Sequence, residues 1–299
     1  MSKDLALFLE YLQFEKRSSR HTVIAYETDL IQFSDFLITQ YQLSALEEAN
    51  HMMIRSWIVS MMESGMDPRS VNRKITALRT FYRYMIKTGR MERSPMLKVQ
   101  APKTKKKLPE YIDEKKMELL FSIEEPEEKD YESFRNFLIV DFFYRTGVRL
   151  SELINLKVSD VNLYSLTVTV LGKRNKVRQI PLTMKFKSVL QEYLSVRSDF
   201  LTMKGQSCDF FFTDSHGNQI TPGIVYKLVK ASISRVSTGE KRSPHVLRHS
   251  FATAMLNHGA DINAIKELLG HSSLAATQVY THNSIEKLKE IYKQAFPKA

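Results

Sequence analysis

Residues 243–282 read SPHVLRHSFATAMLNHGADINAIKELLGHSSLAATQVYTH, and this segment constrains the fold and the chemistry of the chain most strongly. Apolar side chains recur in it at helical spacing, as they do in the rest of the chain from Pro222 onward. Side chains that bind anions or take part in proton transfer interrupt the pattern: His245, Arg248, His271 and Tyr280. Taken singly, each histidine is better explained as a hydrogen-bonded core residue, so a functional assignment depends on the whole set.

His245 and His249 lie four residues apart, which is the spacing of a zinc-binding pair on a helix. The zinc-protease pattern also requires a glutamate directly after the first histidine as general base, and Val246 stands there. Arg248, between the two histidines, would place a positive charge beside a dication. We therefore expect no metal site.

A second candidate segment, TGVRLSEL, occupies residues 146–153. Gly147 predicts a turn and the residues after it predict a new helix, so Arg149 is expected at a helix N-terminus. There a planar guanidinium can bind a phosphate through two parallel hydrogen bonds. Most arginines in such positions are structural, so this segment alone is weak evidence for a site.

Two short runs rich in β-branched residues, TVTVL at 167–171 and KVRQI at 176–180, predict a β-hairpin. The residues between them, GKRN, have the composition of a tight turn. A weaker strand and turn are expected at 210–213 and 215–218, and a strongly apolar helix at 134–146. The second part of the chain is therefore expected to mix α and β structure.

The first part of the chain has only helical patterns. One apolar stripe runs through Tyr26, Leu30, Phe33 and Leu37, and another runs through residues 70–88 and stops at Gly89. The opposite face of the second helix has no acidic residue, whereas a solvated face, the alternative here, normally mixes charges of both signs. We predict that this face binds DNA through Arg73, Arg79, Arg83 and Lys87.

A basic segment, SPMLKVQAPKTKKKLP, follows at residues 94–109. Its three prolines disfavour a continuous helix and its five lysines repel one another, so a solvated linker is expected. The segment has no acidic residue and is expected to lie against phosphates through Lys105, Lys106 and Lys107. It divides the chain into a helical N-terminal domain (1–97), a linker (98–109) and a catalytic domain (110–299).

Composition limits the classes of protein that fit. The 299 residues are 43% hydrophobic and 26% charged, which excludes a disordered or fibrous chain. Lys and Arg number 44 against 33 Asp and Glu, and the net charge of +11 points to nucleic acid or an acidic membrane surface as partner. Cys208 is the only cysteine, so a disulfide within the chain is excluded. No apolar run approaches the ~18 residues of a membrane span, and we expect a soluble intracellular protein without a membrane partner.

Taken together, these segments resemble the tyrosine recombinase family. Its signature is an arginine, a lysine in a β-hairpin, His-x-x-Arg, then histidine or tryptophan, and lastly tyrosine. Residues 243–282 are most similar to the Xer branch of the family, and the likeness extends over essentially the whole chain. The matching positions, in the family's order, are Arg149, Lys173, His245, Arg248, His271 and Tyr280.

The resemblance implies a mainly α-helical fold with a small antiparallel β-sheet. A SAM-like helical core-binding domain and an α+β catalytic domain would form a C-shaped clamp around DNA. An amphipathic helix is expected at residues 284–294, with Ile285, Leu288 and Tyr292 on its apolar stripe. In the family such a helix docks into a neighbouring protomer, which we favour here over packing on its own domain.

The resemblance also implies the roles of the site residues. Tyr280 would attack a phosphodiester and form a 3′-phosphotyrosine, leaving a free 5′ hydroxyl. Arg149 and Arg248 would hold the non-bridging oxygens, and no cofactor or metal would be needed. His245 and His271 would donate hydrogen bonds and assist proton transfer. Lys173 would protonate the leaving oxygen, with Lys176 as the alternative. Glu152 would orient an arginine, and Arg174 would contact DNA.

The implied substrate is double-stranded DNA with two half-sites, recombined by a homo- or heterotetramer. A second Xer recombinase and a DNA translocase are candidate partners, and the expected role is resolution of chromosome and plasmid dimers at dif-like sites, in the cytoplasm and on the bacterial nucleoid. The alternatives are a mobile-element integrase with the same chemistry, a type IB topoisomerase and a DNA protein that only binds. We favour the Xer role over the integrase because no arm-binding segment precedes the helical region.

Overall fold

The computed structural model describes residues 3–104, 110–126, 130–172, 176–270 and Tyr292. The chain divides into two compact units, Met1–Lys107 and Leu108–Ala299. Each unit has a hydrophobic core of its own. The described part of the first unit is helical, and that of the second is helical with a small sheet, as the sequence predicts.

The first unit is built from α-helices whose caps and apolar stripes are legible in the sequence. Ser19, Asn50 and Asp67 each precede a helix and accept a hydrogen bond from its first turn. Leu30, Phe33 and Leu37 of the predicted first stripe are buried. The helices are α1 (Lys3–Glu10, continued by a π-helical stretch Tyr11–Glu15), α2 (Arg20–Tyr41), α3 (His51–Glu63) and α4 (Pro68–Lys87), with 3-10 turns at Leu46–Glu48 and Pro95–Lys98.

α2 and α4 are joined by a buried ion pair as well as by apolar contacts. Asp29 on α2 is buried and accepts a hydrogen bond from the ammonium of Lys74 on α4 at 2.8 Å. Arg73 donates to the other oxygen of the same carboxylate. A buried carboxylate held by two cations is tolerated only with such partners, so this contact fixes the packing of the two helices.

The expectation of a solvated linker from residue 94 onward is wrong for the first part of that segment. Met96 and Val99 are buried in the core of the first unit. Two side chains of α4 bind the carbonyls of this segment: Arg79 Nη2 donates to Val99 at 3.0 Å and Asn72 Nδ2 to Pro102 at 3.0 Å. The apolar residues between the prolines and lysines pack on α4, and burial outweighs the polar composition of the segment.

The second unit is arranged around one helix that is largely buried. The predicted apolar helix at 134–146 is confirmed as α6, whose Asp130 cap accepts from Ser133 N–H at 3.2 Å. α6 packs against several neighbours and thereby holds the turn at its C-terminus in place. The helices of this unit are α5 (Glu114–Glu124), α6 (Tyr131–Thr146), α7 (Leu150–Ile154), α8 (Met184–Met203), α9 (Pro222–Val236), α10 (Pro244–Asn257) and α11 (Ile262–Leu269).

The predicted β-hairpin is confirmed. Antiparallel strands run in the order β1 (Val161–Asn162), β2 (Thr167–Leu171) and β3 (Val177–Pro181), with Val170 opposite Arg178. The weaker strand expected at 210–213 is wrong. Within the described residues this segment forms only isolated bridges, Lys157 to Phe210 and Thr213 to Gln219, because its neighbours are turns that offer no continuous ladder.

Tyr292 lies in the segment where the sequence predicts an exchanged C-terminal helix. It is buried in the core of the second unit of its own chain, and its hydroxyl donates to the Arg145 carbonyl at 2.8 Å. For this residue the contact is made in cis, and docking into a neighbouring protomer stays a prediction. None of the helices in the described residues is both long and apolar enough to span a membrane.

Candidate active site

Arg149 is placed by the turn between α6 and α7. α6 ends at Gly147, which has a left-handed φ of 59° and donates its N–H to the Phe143 carbonyl at 2.9 Å. Arg149 takes an extended conformation directly before α7, and its backbone N–H donates to Oε2 of Glu152 at 2.7 Å. A glutamate at the third position of a helix satisfies an N-terminal donor in this way. The predicted turn and new helix are therefore confirmed.

Gly147 is required at this turn by its conformation and by its neighbours. A β-carbon at this position would lie 2.4 Å from Cδ1 of Phe251 and 3.0 Å from Cδ2 of Leu269. Phe251 belongs to α10 and Leu269 ends α11. The close approach that glycine permits thus brings the turn, α10 and α11 together.

The carboxylate of Glu152 holds two arginine side chains. Its Oε1 accepts from Nη1 of Arg149 at 2.7 Å and from Nη1 of Arg178 at 2.8 Å. Its Oε2 accepts from Nη2 of Arg178 at 2.8 Å, besides the backbone N–H of Arg149. Burial raises the pKa of Glu152, but the hydrogen bonds and charges of the two arginines outweigh it and lower the pKa to about 2.

Arg248 lies on α10 and is buried. Its Nη1 donates to the Gly147 carbonyl and its Nη2 to the Leu269 carbonyl. Burial lowers the pKa of Arg248 to about 10, with repulsion from Arg149 and Arg178 adding to the effect. The side chain is still charged at neutral pH, so it is a fixed cation at the same turn as Arg149.

Three consecutive carbonyls at the C-terminus of α11 each accept a hydrogen bond from a different arginine. Arg178 Nε binds Leu268 at 2.6 Å, Arg248 binds Leu269, and Arg149 Nη2 binds Gly270 at 3.1 Å. A helix C-terminus carries partial negative charge, which favours cations there. These bonds draw the guanidinium groups from three separate chain segments into one cluster.

The cluster has more positive than negative charge. Arg149, Arg178 and Arg248 contribute three cations, and Glu152 supplies one carboxylate. Guanidinium groups fixed by carbonyls and by a carboxylate need little reorganisation when charge develops on a bound anion. This arrangement is suited to holding a phosphodiester and stabilising extra charge on its non-bridging oxygens.

The hairpin loop starts beside this cluster. Gly172 closes β2 and donates its N–H to the Lys176 carbonyl at 2.8 Å. A β-carbon at Gly172 would lie 3.7 Å from Oε1 of Glu152 and 3.7 Å from Nη1 of Arg178. Lys173 follows Gly172 directly, while Lys176 is exposed at the far end of the loop.

His245 lies in the first turn of α10, three residues before Arg248, so the two positions share one side of the helix. His249 lies one residue beyond Arg248, and its pKa is lowered by burial and by the neighbouring positive groups, His245 first among them. Among the residues that the structure describes, no group of three or more His, Cys, Asp or Glu side chains is arranged to hold a metal ion.

The structure brings Arg149, Glu152 and Arg248 together. Arg178 is not among the residues predicted from the sequence, although the alternation in β3 was a usable signal. Arg178 shares a strand face with the buried Ile180, a position where an unpaired charge is costly. Several predicted residues lie outside the described residues: Lys105, Lys106, Lys107, Lys173, Arg174, His271 and Tyr280.

The predicted DNA-binding face of α4 is exposed, but most of its cations have partners within the first unit. Arg73 pairs with Asp29, and Arg79 binds the Val99 carbonyl. Lys87 Nζ lies 3.7 Å from Oε2 of Glu15. Arg83 makes no hydrogen bond or ion pair within the described part of the chain.

Comparison with protein families identifies the class to which this fold and site belong. Residues 5–89 match the N-terminal SAM-like domain of phage integrases, and residues 110–287 match the phage integrase family itself. The chain belongs to the phage integrase family, that of the tyrosine recombinases. It is a site-specific recombinase, an enzyme that breaks and rejoins DNA.

Individual relatives point to the Xer group. The chain is 38% identical over 315 residues to tyrosine recombinase XerC of Chlorobaculum parvum, covering 98% of this chain and 94% of that protein. It is 34% identical over 294 residues to tyrosine recombinase XerC of Bacillus subtilis (strain 168), covering 98% and 96%. Recombination of the Xer type is therefore the activity that the family assignment supports.

The fold also matches solved structures. XerH site-specific recombinase bound to a palindromic difH substrate superposes with a TM-score of 0.70 at 23% identity, over 97% of this chain and 84% of that chain. The Tn1549 transposon integrase in complex with transposon right end DNA superposes with a TM-score of 0.71 at 17% identity, over 97% and 99%. At these identities the likeness establishes the fold.

Proposed function

We propose that this chain resolves chromosome and plasmid dimers by Xer-type recombination at a dif-like DNA site with two half-sites. It cleaves each strand through a covalent bond between Tyr280 and the 3′ phosphate. The observation that carries the proposal is the cluster of Arg149, Arg178 and Arg248 on the end of α11, since the chain continues from there to His271.

In the proposed reaction the Tyr280 oxygen attacks the scissile phosphorus and the 5′ oxygen leaves. Arg149 and Arg248 hold the non-bridging oxygens, and His245 and His271 donate hydrogen bonds and assist proton transfer. Lys173 protonates the leaving 5′ oxygen. In the second step a 5′ hydroxyl from the partner duplex attacks the phosphotyrosine, releases Tyr280 and forms the new strand. One phosphoester replaces another in each step, so neither ATP nor a metal is required.

The proposed assembly is a tetramer on two synapsed DNA sites, composed of this chain alone or with a second Xer recombinase. A DNA translocase is a candidate activator, and the protein would work on the nucleoid in the cytoplasm. The names of the XerC relatives support the Xer assignment. The exposed cations of α4 support DNA contact by the first unit, among them Arg83, which makes no hydrogen bond or ion pair with the described residues.

The test is covalent capture of DNA. The protein is incubated with nicked suicide duplexes of randomised sequence in excess EDTA, beside Tyr280→Phe, and SDS-resistant adducts are isolated. An adduct with the wild type only supports the proposed chemistry, and sequencing the trapped DNA names the site. A dif-like site supports dimer resolution, whereas the ends of a mobile element favour the integrase alternative.

Intact binding without any adduct favours a protein that only binds DNA, or one that needs a second recombinase. Adding the second Xer recombinase of the same organism separates these two outcomes. Adduct formation by Tyr280→Phe contradicts the assignment of the nucleophile.

A further inference from the structure

Arg178 belongs neither to the proposed catalytic set nor to the predicted DNA contacts, yet each of its guanidinium nitrogens is bonded. Nη1 and Nη2 each donate to an oxygen of Glu152 at 2.8 Å, and Nε donates to the Leu268 carbonyl at 2.6 Å. The side chain is only 10% exposed. A surface arginine retained for charge alone would not be held at three points.

The two bonds to Glu152 reach Arg149 through a shared oxygen. Oε1 of Glu152 accepts from Arg149 at 2.7 Å and from Arg178 at 2.8 Å. Arg149 itself binds both oxygens of Glu152, Oε1 through Nη1 and Oε2 through its backbone N–H. The planar fork of Arg178 adds a second pair of hydrogen bonds, one to each oxygen, and so restricts rotation of the carboxylate further. Arg178 therefore helps to fix the direction in which Glu152 presents Oε1 to the guanidinium of Arg149.

The third bond connects β3 to the end of α11. Arg178 lies shortly after the hairpin loop, and its Nε holds the carbonyl two residues before Gly270. A β-carbon at Gly270 would lie 3.3 Å from Cδ of Arg178, so backbone and side chain are in close contact there. Arg149 binds the Gly270 carbonyl itself. Arg178 thus binds both structures that hold the Arg149 side chain, the carboxylate of Glu152 and the C-terminus of α11.

We infer that Arg178 is a positioning residue for DNA strand cleavage, which acts by fixing the guanidinium of Arg149 through Glu152 and through the C-terminus of α11. The inference rests on the proposed function, since it takes Arg149 as a ligand of the scissile phosphate. Arg178 contacts the groups that bind Arg149, so the loss of Arg178 displaces the guanidinium of Arg149. The guanidinium groups of Arg149 and Arg248 that would hold the scissile phosphate are called the guanidinium clamp below. The competing explanation is that Arg178 only neutralises the buried Glu152.

The experiment compares two scissile linkages at the DNA site captured with the wild type. One is the natural phosphodiester, and the other is a methylphosphonate, in which a methyl group replaces a charged non-bridging oxygen. The neutral linkage depends less on a guanidinium clamp because less charge develops on its remaining oxygen. Single-turnover cleavage is measured on both linkages for the wild type, Arg178→Gln, Arg178→Lys and Arg149→Ala.

Arg178→Gln is expected to slow cleavage of the phosphodiester by about 100-fold, the effect of misplacing a catalytic group by about 1 Å. On the methylphosphonate the loss is expected to shrink by at least about tenfold, as for Arg149→Ala, because the misplaced clamp matters less there. Arg178→Lys keeps the charge beside Glu152 but lacks the planar fork, so it is also expected to be slow on the phosphodiester. If Arg178→Gln does not fold, the Arg178→Lys variant provides the test.

Arg197→Gln is the matched control, since Arg197 is a buried arginine of the same unit that binds the Cys208 and Phe210 carbonyls at 2.6 Å. Any loss it shows is expected to be equal on both linkages. The inference is overturned if the Arg178 variants lose cleavage rate by the same factor on both linkages. It is also overturned if Arg178→Lys cleaves the phosphodiester at the wild-type rate. If the wild type forms no adduct on either linkage even with the second Xer recombinase added, the proposed function fails instead.

Discussion

Nη2 of Arg149 donates to the carbonyl of Gly270 at 3.1 Å, a bond between residues 121 positions apart that joins the start of α7 to the end of α11. Gly270 ends α11 in a left-handed conformation with a φ of 62°. Leu268 and Leu269, the two preceding residues, also give their carbonyls to arginines. The arginine cluster and the C-terminus of α11 therefore depend on one another for their placement.

Glu152→Gln is expected to destabilise the second unit in a pH-dependent way. The arginines outweigh the effect of burial and lower the pKa of Glu152 from 4.5 to about 2. Because the pKa is depressed in the folded state, the stabilisation is complete above the unfolded pKa and is lost as the pH falls toward the folded one. At neutral pH the free energy of unfolding of the wild type is thus expected to exceed that of Glu152→Gln by about 3 kcal/mol.

Urea unfolding of both proteins, at neutral pH and at steps between pH 4.5 and about 2, checks this expectation. The difference in unfolding free energy is expected to narrow over that interval. A difference that stays constant with pH would show that the charge of Glu152 contributes nothing and that the shape of the side chain alone matters.

Gly147→Ala is expected to destabilise the protein more than Gly259→Ala. Both glycines have positive φ, 59° and 80°, so alanine costs about 1–2 kcal/mol in backbone strain at either position. A β-carbon at Gly259 would meet nothing within 4 Å, whereas at Gly147 it would clash with Phe251. Overpacking adds about 1–3 kcal/mol at Gly147. Thermal unfolding of the two variants gives the difference, and equal losses would contradict the close approach of α10 to this turn.

Local patterns predicted the parts of the fold that local chemistry determines. The β-branched residues on either side of GKRN gave the hairpin, and helical spacing gave α2, α4 and α6. Arg149 and Arg248 were proposed as phosphate ligands, and the structure places them at one turn. Glu152, which binds Arg149 from three residues along the chain, was also predicted to orient an arginine. The carbonyls that bind Arg149 and Arg248 were not predictable, since those bonds cross long stretches of chain and leave no periodicity.

Two contacts that the sequence did not reveal have the same origin. The segment around Met96 and Val99 was expected to be solvated because prolines and lysines dominate its composition, yet its few apolar side chains pack on α4. No acidic residue lies in α4, and its basic face is predicted to bind DNA. Asp29 of α2 nevertheless pairs with Arg73. Composition and spacing describe one segment at a time, whereas tertiary packing supplies the neighbours.

Arg83→Ala is expected to weaken binding of DNA by the first unit and to reduce its salt dependence. Arg83 is exposed on α4 and, within the described residues, has no partner to give up when it meets a phosphate. Removing one phosphate contact lowers the slope of log Kd against log salt by about 1. The measurement is a salt titration of binding to the captured site.

Arg55→Ala is the matched control for this titration, since Arg55 is an exposed arginine of the same unit on α3, outside the predicted face. It is expected to leave the salt slope unchanged. Equal slopes for Arg83→Ala and the wild type would remove α4 from the DNA-binding surface.

Lys173→Ala is expected to slow cleavage, and a 5′-thio leaving group is expected to restore it. A thiolate leaves without protonation, so the substituted DNA no longer needs the general acid that Lys173 is proposed to supply. Lys176→Ala is the matched comparison, because Lys176 is the other lysine of the hairpin and lies exposed beside Val177. It is expected to cleave both substrates at nearly the wild-type rate. Single-turnover cleavage of the oxygen- and sulfur-linked suicide substrates decides the assignment: rescue confined to Lys176→Ala would move the role of general acid to Lys176.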